Sequence, residues 1–174
     1  MQKRLESSLI SPFQYIAMES NSSKFELGSL AEVTLSYVYK GMVKDRPKIT
    51  SSEDVYRIAM QVMDQNIIAM QEQFLAIYLN RSNRVIGTKV HFIGGLSSVI
   101  IDLKVIAATA VGLMASTVVV CHNHPSGNLD PSEQDKRITA RLKEGLALFD
   151  INLVDHLIVG PDGERLSFLE QGLI

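Results

Sequence analysis

Two histidines, a serine and an aspartate lie close together in this chain: His122, His124, Ser132 and Asp135. The histidines end the apolar run Val118-Val119-Val120-Cys121, at i and i+2. A β-branched run of this kind reads as a buried strand, and in a strand those two positions project from one face. Pro125-Ser126-Gly127-Asn128 then breaks the strand into a loop. A helix is expected next, with Asp130 at its N-cap, Pro131 at its first position and Glu133 three residues after the cap, as in a capping box. Ser132 and Asp135 would then share a helix face. Two imidazoles, a hydroxyl and a carboxylate thus converge where a strand end meets a helix start. Two His nitrogens and one Asp oxygen make a zinc set that leaves a fourth position for water, the pattern of a catalytic site. A lone His-x-His carries little weight; the strand, the sharp loop and the spaced Ser/Asp together point to a metal.

The elements that must position these residues are set by periodicity. Glu72 precedes an apolar strand running to Asn80, and Asn80-Arg81-Ser82-Asn83 is a turn. Arg84 to Phe92 returns as a second strand of a hairpin, with Val85, Gly87, Lys89 and His91 on one face and Ile86, Thr88, Val90 and Phe92 on the other. His91 reads there as strand surface. Upstream, Ser51-Ser52-Glu53-Asp54 opens a helix whose apolar stripe is Val55, Ile58, Ala59 and Val62, widened by Met60 and Met63. Gly94-Gly95 permits a loop with positive φ. The segment from Asp102 to Ala115 reads as a helix that is apolar all round, which implies heavy burial. A long helix is expected from Pro131 to about Phe149 with Ile138, Leu142 and Leu146 inward, then a strand over Asn152 to Val159. That strand carries Asp155 and His156; His156 either orients a metal ligand from behind or is a core histidine with a local partner. After the turn Gly160-Pro161-Asp162-Gly163, Leu166 to Phe168 is a last short strand. Near the start, Val33, Leu35, Tyr37 and Tyr39 alternate in a strand over Ala31 to Lys40. The fold class expected is α/β, a mixed sheet flanked by helices, with residues 1–45 a partly ordered arm and 46–174 one domain. Gly94-Gly95 lacks the spacing of a dinucleotide fingerprint.

Composition narrows the function. The formal charge of −2 supplies no global basic field for nucleic acid. Cys121, the one cysteine, excludes an intrachain disulfide and fits a reducing compartment. It faces away from the histidines and reads as a small buried hydrophobe. Val105 to Cys121 is broken by Thr109, Ser116 and Thr117 and reads as a buried helix and strand, not a membrane span. With no apolar leader, a cytoplasmic protein is expected. The His-x-Glu and Pro-Cys-x-x-Cys of nucleobase deaminases are absent from the sequence.

His-x-His, seven residues, Ser, two residues and Asp resembles the JAMM (MPN-plus) metalloprotease motif, matched at His122, His124, Ser132 and Asp135. The string His122-Asn123-His124-Pro125-Ser126-Gly127 with Asp155-His156-Leu157-Ile158 downstream resembles the RadC branch of JAB-domain proteins. So do Arg46-Pro47-Lys48-Ile49-Thr50-Ser51-Ser52, Leu79-Asn80-Arg81 and Gly94-Gly95, over a span from about Pro47 to Ile174. The resemblance implies a JAMM/MPN-like, cytidine-deaminase-like metalloprotease fold binding one zinc. It implies Glu72 as general base, Ser132 as hydrogen-bond donor to an oxyanion or the bound water, and an unknown protein or peptide as amide or isopeptide substrate. RadC-like proteins also carry a DNA-repair label. Arg81, Arg84 and Lys89 on the hairpin, or Arg137, Arg141 and Lys143 on the helix, are the residues that would meet phosphates, and otherwise form a solvated face. A scaffold without turnover fits less well, because the ligand set is complete. One departure stands out: where many RadC-like chains have Pro-Arg-Glu-Val, this one has Asp102-Leu103-Lys104-Val105, which bears on substrate preference.

Overall fold

Two unbroken apolar runs form the strands against which everything else is laid. These are β1 (Gln73–Leu79) and β3 (Thr117–Asn123), buried along their whole length. A strand that alternates is half-solvated; one that is apolar throughout is covered on both faces. In this computed structural model the described residues are Tyr37, 41–94 and 101–174. The strand expected over residues 31–40 (Tyr37 aside), the arm before it and Gly95 of the Gly-Gly loop lie outside them.

In chain order the elements are α1 (Ser52–Val62), β1, β2 (Val85–Ile93), α2 (Leu103–Gly112), β3, α3 (Glu133–Ala147), β4 (Asn152–Val159) and β5 (Arg165–Ser167). The sheet order is β2-β1-β3-β4-β5, with β3 and β4 parallel and the other neighbours antiparallel. It is therefore the mixed sheet expected. The parallel pair needs a crossover, and α3 supplies it. The period of two sorts β1 and β3 onto two cores. Phe74, Ala76, Tyr78, Val118 and Val120 meet Ile106 of α2 and Leu142 of α3 on one side. Leu75, Ile77, Val119 and Cys121 meet Val55 and Ala59 of α1 on the other. Cys121 is thus buried on the face opposite the histidines, and burial pushes its thiol up.

Three expectations are corrected. First, the helix after the loop begins later than Asp130 implies. Ser132 is the N-cap and Asp135 the N3 residue, in a reciprocal capping box, while the Asp130 amide donates to Asn128 Oδ1 at 3.0 Å. Second, α2 is not buried all round. Ile106 and Ala110 are buried, whereas Val105 and Val111 stay exposed, because only one stripe of the helix can face the sheet. Third, β2 does not keep one alternation. Its pairing with β1 slips between Phe74/Leu75 and between Tyr78/Leu79, leaving His91 and Ile86 as extra residues. A bulge of this kind reverses the facing of the residues beyond it. Ile86 and Phe92 consequently reach the α2/α3 side, and Val85 and Val90 the α1 side.

The bulge also removes His91 from the plain strand surface. Its Nε2 lies 2.5 Å from the Tyr78 hydroxyl. Burial, with the Lys89 charge beside it, lowers its pKa to about 4. The unfolded chain takes up this proton near pH 6.5, the folded chain only near 4, so protons favour the unfolded state across that window. Stability contributed by neutral His91 is therefore present above pH 6.5 and lost as pH falls toward 4. In urea titrations with chelator present, His91→Gln is expected to show a shallower loss between pH 6.5 and 4 than the unsubstituted chain; equal slopes would contradict this.

Candidate metal centre

β3 is the middle strand of the sheet, and His122 is its penultimate residue, 4% exposed. His124 comes one residue past the strand, held by its amide donating to Val159 O at 2.9 Å. The chain then turns, with Gly127 at φ +76°, a region glycine enters without strain. Its amide donates to His124 O at 3.0 Å. This loop brings the first turn of α3 back over the strand end. There the Asp135 carboxylate accepts from the Ser132 amide at 2.8 Å and from the Ser132 hydroxyl at 2.6 Å. The cap thus aims the carboxylate at the histidines.

His122 Nε2 and His124 Nε2 stand 2.9 Å apart. Asp135 Oδ1 is 3.3 Å from the first and Oδ2 3.7 Å from the second. A tetrahedral zinc with ligands at about 2.0–2.1 Å separates its ligand atoms by roughly 3.3 Å. The observed spacings bracket that value, and the three residues form a group that could hold a metal ion. The donor chemistry fits as well. His124 Nδ1 donates to Asn128 O at 2.5 Å, which leaves Nε2 with its lone pair toward the centre. Behind the other histidine, His122 Nδ1 is 2.7 Å from His156 Nε2. His156 Nδ1 is in turn 2.6 Å from Thr139 Oγ1, and that hydroxyl donates to Asp135 O at 2.6 Å.

The charges agree with a cation site. Burial works to raise the Asp135 carboxyl, but the His122 and His124 rings and the Ser132 hydroxyl outweigh it and hold the group well below the usual carboxylate range. His124 is raised, first by the Asp135 hydrogen bond, and also by the Glu72 charge. His156, fully buried, is pushed well below its ordinary value by desolvation and then by His122.

The remaining sequence candidates take different places. Glu72 is half-buried just before β1, whose antiparallel register sets Phe74 opposite His122; Glu72 is therefore carried to the His124 end of β3. Ser132 is exposed, and its hydroxyl is engaged by the cap. Sequence reasoning missed Asn123, the residue between the histidines. Fully buried, it accepts from the Gln73 amide at 2.6 Å and donates to Ile68 O at 2.7 Å and Gln71 O at 2.9 Å. It latches the segment leading into Glu72 onto β3. It also missed Thr139, a polar residue on the inward side of α3. The one available signal for either was a polar side chain inside an otherwise apolar pattern.

A mixed sheet, a His-x-His at the end of its central strand and an Asp in the first turn of the crossover helix define a domain of the JAB/MPN type. A family profile described as RadC-like JAB domain matches residues 49–173, and the chain belongs to that family. A UPF0758 protein of Flavobacterium johnsoniae is 34% identical over 126 residues, 72% of this chain and 53% of that protein. A UPF0758 protein of Clostridium botulinum is 40% identical over 127 residues, 73% of this chain and 54% of that protein. The chain thus spans about half the length of the curated relatives it matches. Among the described residues no helix is long and apolar enough to cross a membrane.

Proposed function

We propose that this chain is a zinc-dependent hydrolase of the JAMM type, acting on an amide or isopeptide bond of a protein or peptide. The observation that carries the reading is the convergence of three electron-pair donors, His122 Nε2, His124 Nε2 and an Asp135 oxygen, within 4.8 Å of one another. With both imidazoles neutral, these three lone-pair atoms repel one another, and a cation standing between them would turn that repulsion into attraction. Zinc there would bring the pKa of a water toward about 7 and polarise the scissile carbonyl.

The chain's own residues do the rest. Glu72, beside the histidines but not among them, takes the proton of the attacking water on its carboxylate and passes it to the leaving amine. The Ser132 hydroxyl spends its one hydrogen on Asp135, steadying the carboxylate; released from that bond, the same hydrogen would serve the developing oxyanion instead. Glu72→Gln is the test. It is expected to retain zinc and fold while lowering turnover of a cleavable isopeptide or peptide by about 10²–10⁴-fold. Unchanged turnover in Glu72→Gln would remove Glu72 from this role.

Association with DNA is the weaker reading. The Arg84 guanidinium donates to Lys44 O at 3.0 Å and Arg46 O at 2.8 Å, so it braces the hairpin against the segment before α1. Arg81, Lys89, Arg137, Arg141 and Lys143 are exposed, but the net charge of −2 gives them no supporting field. Cytoplasmic location is proposed with the hydrolase, on the strength of the single buried cysteine.

A further inference from the structure

We propose that Thr139 and His156 are positioning residues whose hydrogen bonds decide which nitrogen of His122 is offered to the metal. The inference rests on the metal reading and goes beyond it to how the ligand is set. Its starting point is the 2.6 Å separation of Thr139 Oγ1 and Asp135 O. Two oxygens that close need a hydrogen between them, and a backbone carbonyl has none to give. The Thr139 hydrogen is therefore committed to Asp135 O. Toward His156 Nδ1, 2.6 Å away, Oγ1 can then only accept. The His156 ring carries its hydrogen on Nδ1, and its Nε2 presents a lone pair.

That lone pair meets His122 Nδ1 at 2.7 Å. The hydrogen between them belongs to His122, so His122 carries Nδ1–H and keeps Nε2 bare, the nitrogen that stands beside His124 Nε2 and Asp135. Reversing the Thr139 hydrogen would reverse every bond in the row and aim a hydrogen from His122 Nε2 into the centre. The end point of the row is what forbids this. At His124 the same outcome is reached in one step, through Asn128 O. His122 lies inside the sheet, where strand carbonyls are taken by the ladder, and reaches a carbonyl through two intermediates instead.

The intermediates have no freedom to turn away. The His156 ring is stacked on Phe168 at 4.7 Å and edge-on to Phe74 at 5.6 Å. Thr139 is 2% exposed. Because the row ends on the carbonyl of Asp135 itself, it also ties the helix bearing one ligand to the strand bearing another, by way of β4.

The test is the zinc dissociation constant, measured by competition with a chromophoric chelator, for the unsubstituted chain, Thr139→Val, Thr139→Ser and His156→Gln. Unfolding of each metal-free chain is followed in parallel. Thr139→Val keeps the shape and removes the hydroxyl; its zinc affinity is expected to fall about 10–100-fold, the range for loss of a group that orients a metal ligand. Thr139→Ser restores the hydroxyl and is expected to bind close to the unsubstituted chain. His156→Gln keeps an acceptor for His122 and a donor for Thr139, and is expected to keep most of the affinity. Thr139→Val binding zinc as tightly as the unsubstituted chain would overturn the inference, as would equal losses in Thr139→Val and Thr139→Ser. Absence of zinc binding by the unsubstituted chain would instead overturn the metal reading, and this inference with it.

Discussion

Asn123→Leu is expected to lower the unfolding free energy by about 2–6 kcal/mol, because three backbone groups lose their partner at once, two of them buried, and each buried loss costs about 1–3 kcal/mol. Those groups are the Gln73 amide and the Ile68 and Gln71 carbonyls. The leucine has the same number and branching of side-chain heavy atoms, so no cavity opens. Urea unfolding of the chelator-treated chain measures it, and a loss under about 1 kcal/mol, the floor for such groups, would show that the segment finds other partners. The same substitution releases the stretch into Glu72. Two holds remain: the Gln73 side chain on the Asp64 amide at 2.8 Å and carbonyl at 3.0 Å, and the Gly94 amide on Glu72 O at 2.8 Å. Stability and the placing of Glu72, the proposed general base, are thus coupled at a residue outside the proposed ligand set.

The second large effect is that of the metal on stability. A ligand that binds only the folded chain, at about a thousand times its dissociation constant, adds about 4.1 kcal/mol. For a chain of this size that raises Tm by roughly 8–16 °C. Zinc is expected to do this to the unsubstituted chain and not to Asp135→Ala, with chelator returning the former to its metal-free Tm. Equal shifts in both chains would mean that zinc binds elsewhere. The candidate ligands lie in and just after β3 and in α3, so they are joined only in the folded chain.

Much of this was legible in the residues. β3 is an unbroken apolar run closed by His-x-His, and a period of two leaves no choice about which face the histidines share. The hairpin, the turn at Asn80 and the crossover helix rest on equally local chemistry. The features that stayed hidden depend on neighbours. Asp130-x-x-Glu133 and Ser132-x-x-Asp135 both spell a cap; the chain uses the second, in which Asp135 folds back onto the Ser132 amide and faces β3. The bulges at His91 and Ile86 arise from pairing with β1, and nothing in β2 alone announces them. The all-apolar look of α2 suggested burial, yet one helix on one sheet can hide only one stripe. Thr139 and His156 meet only because α3 packs over β4, so their bond is a tertiary fact.

Everything proposed for the site depends on His122, His124 and Asp135 holding one zinc. The direct measurement is zinc per chain by elemental analysis, for the purified protein and for a variant carrying His122→Ala, His124→Ala and Asp135→Ala prepared alongside it. About one zinc per chain is expected in the first and none in the second. Absence of zinc from both, even after zinc is supplied, or the same zinc content in both, would contradict the assignment of these three residues as ligands.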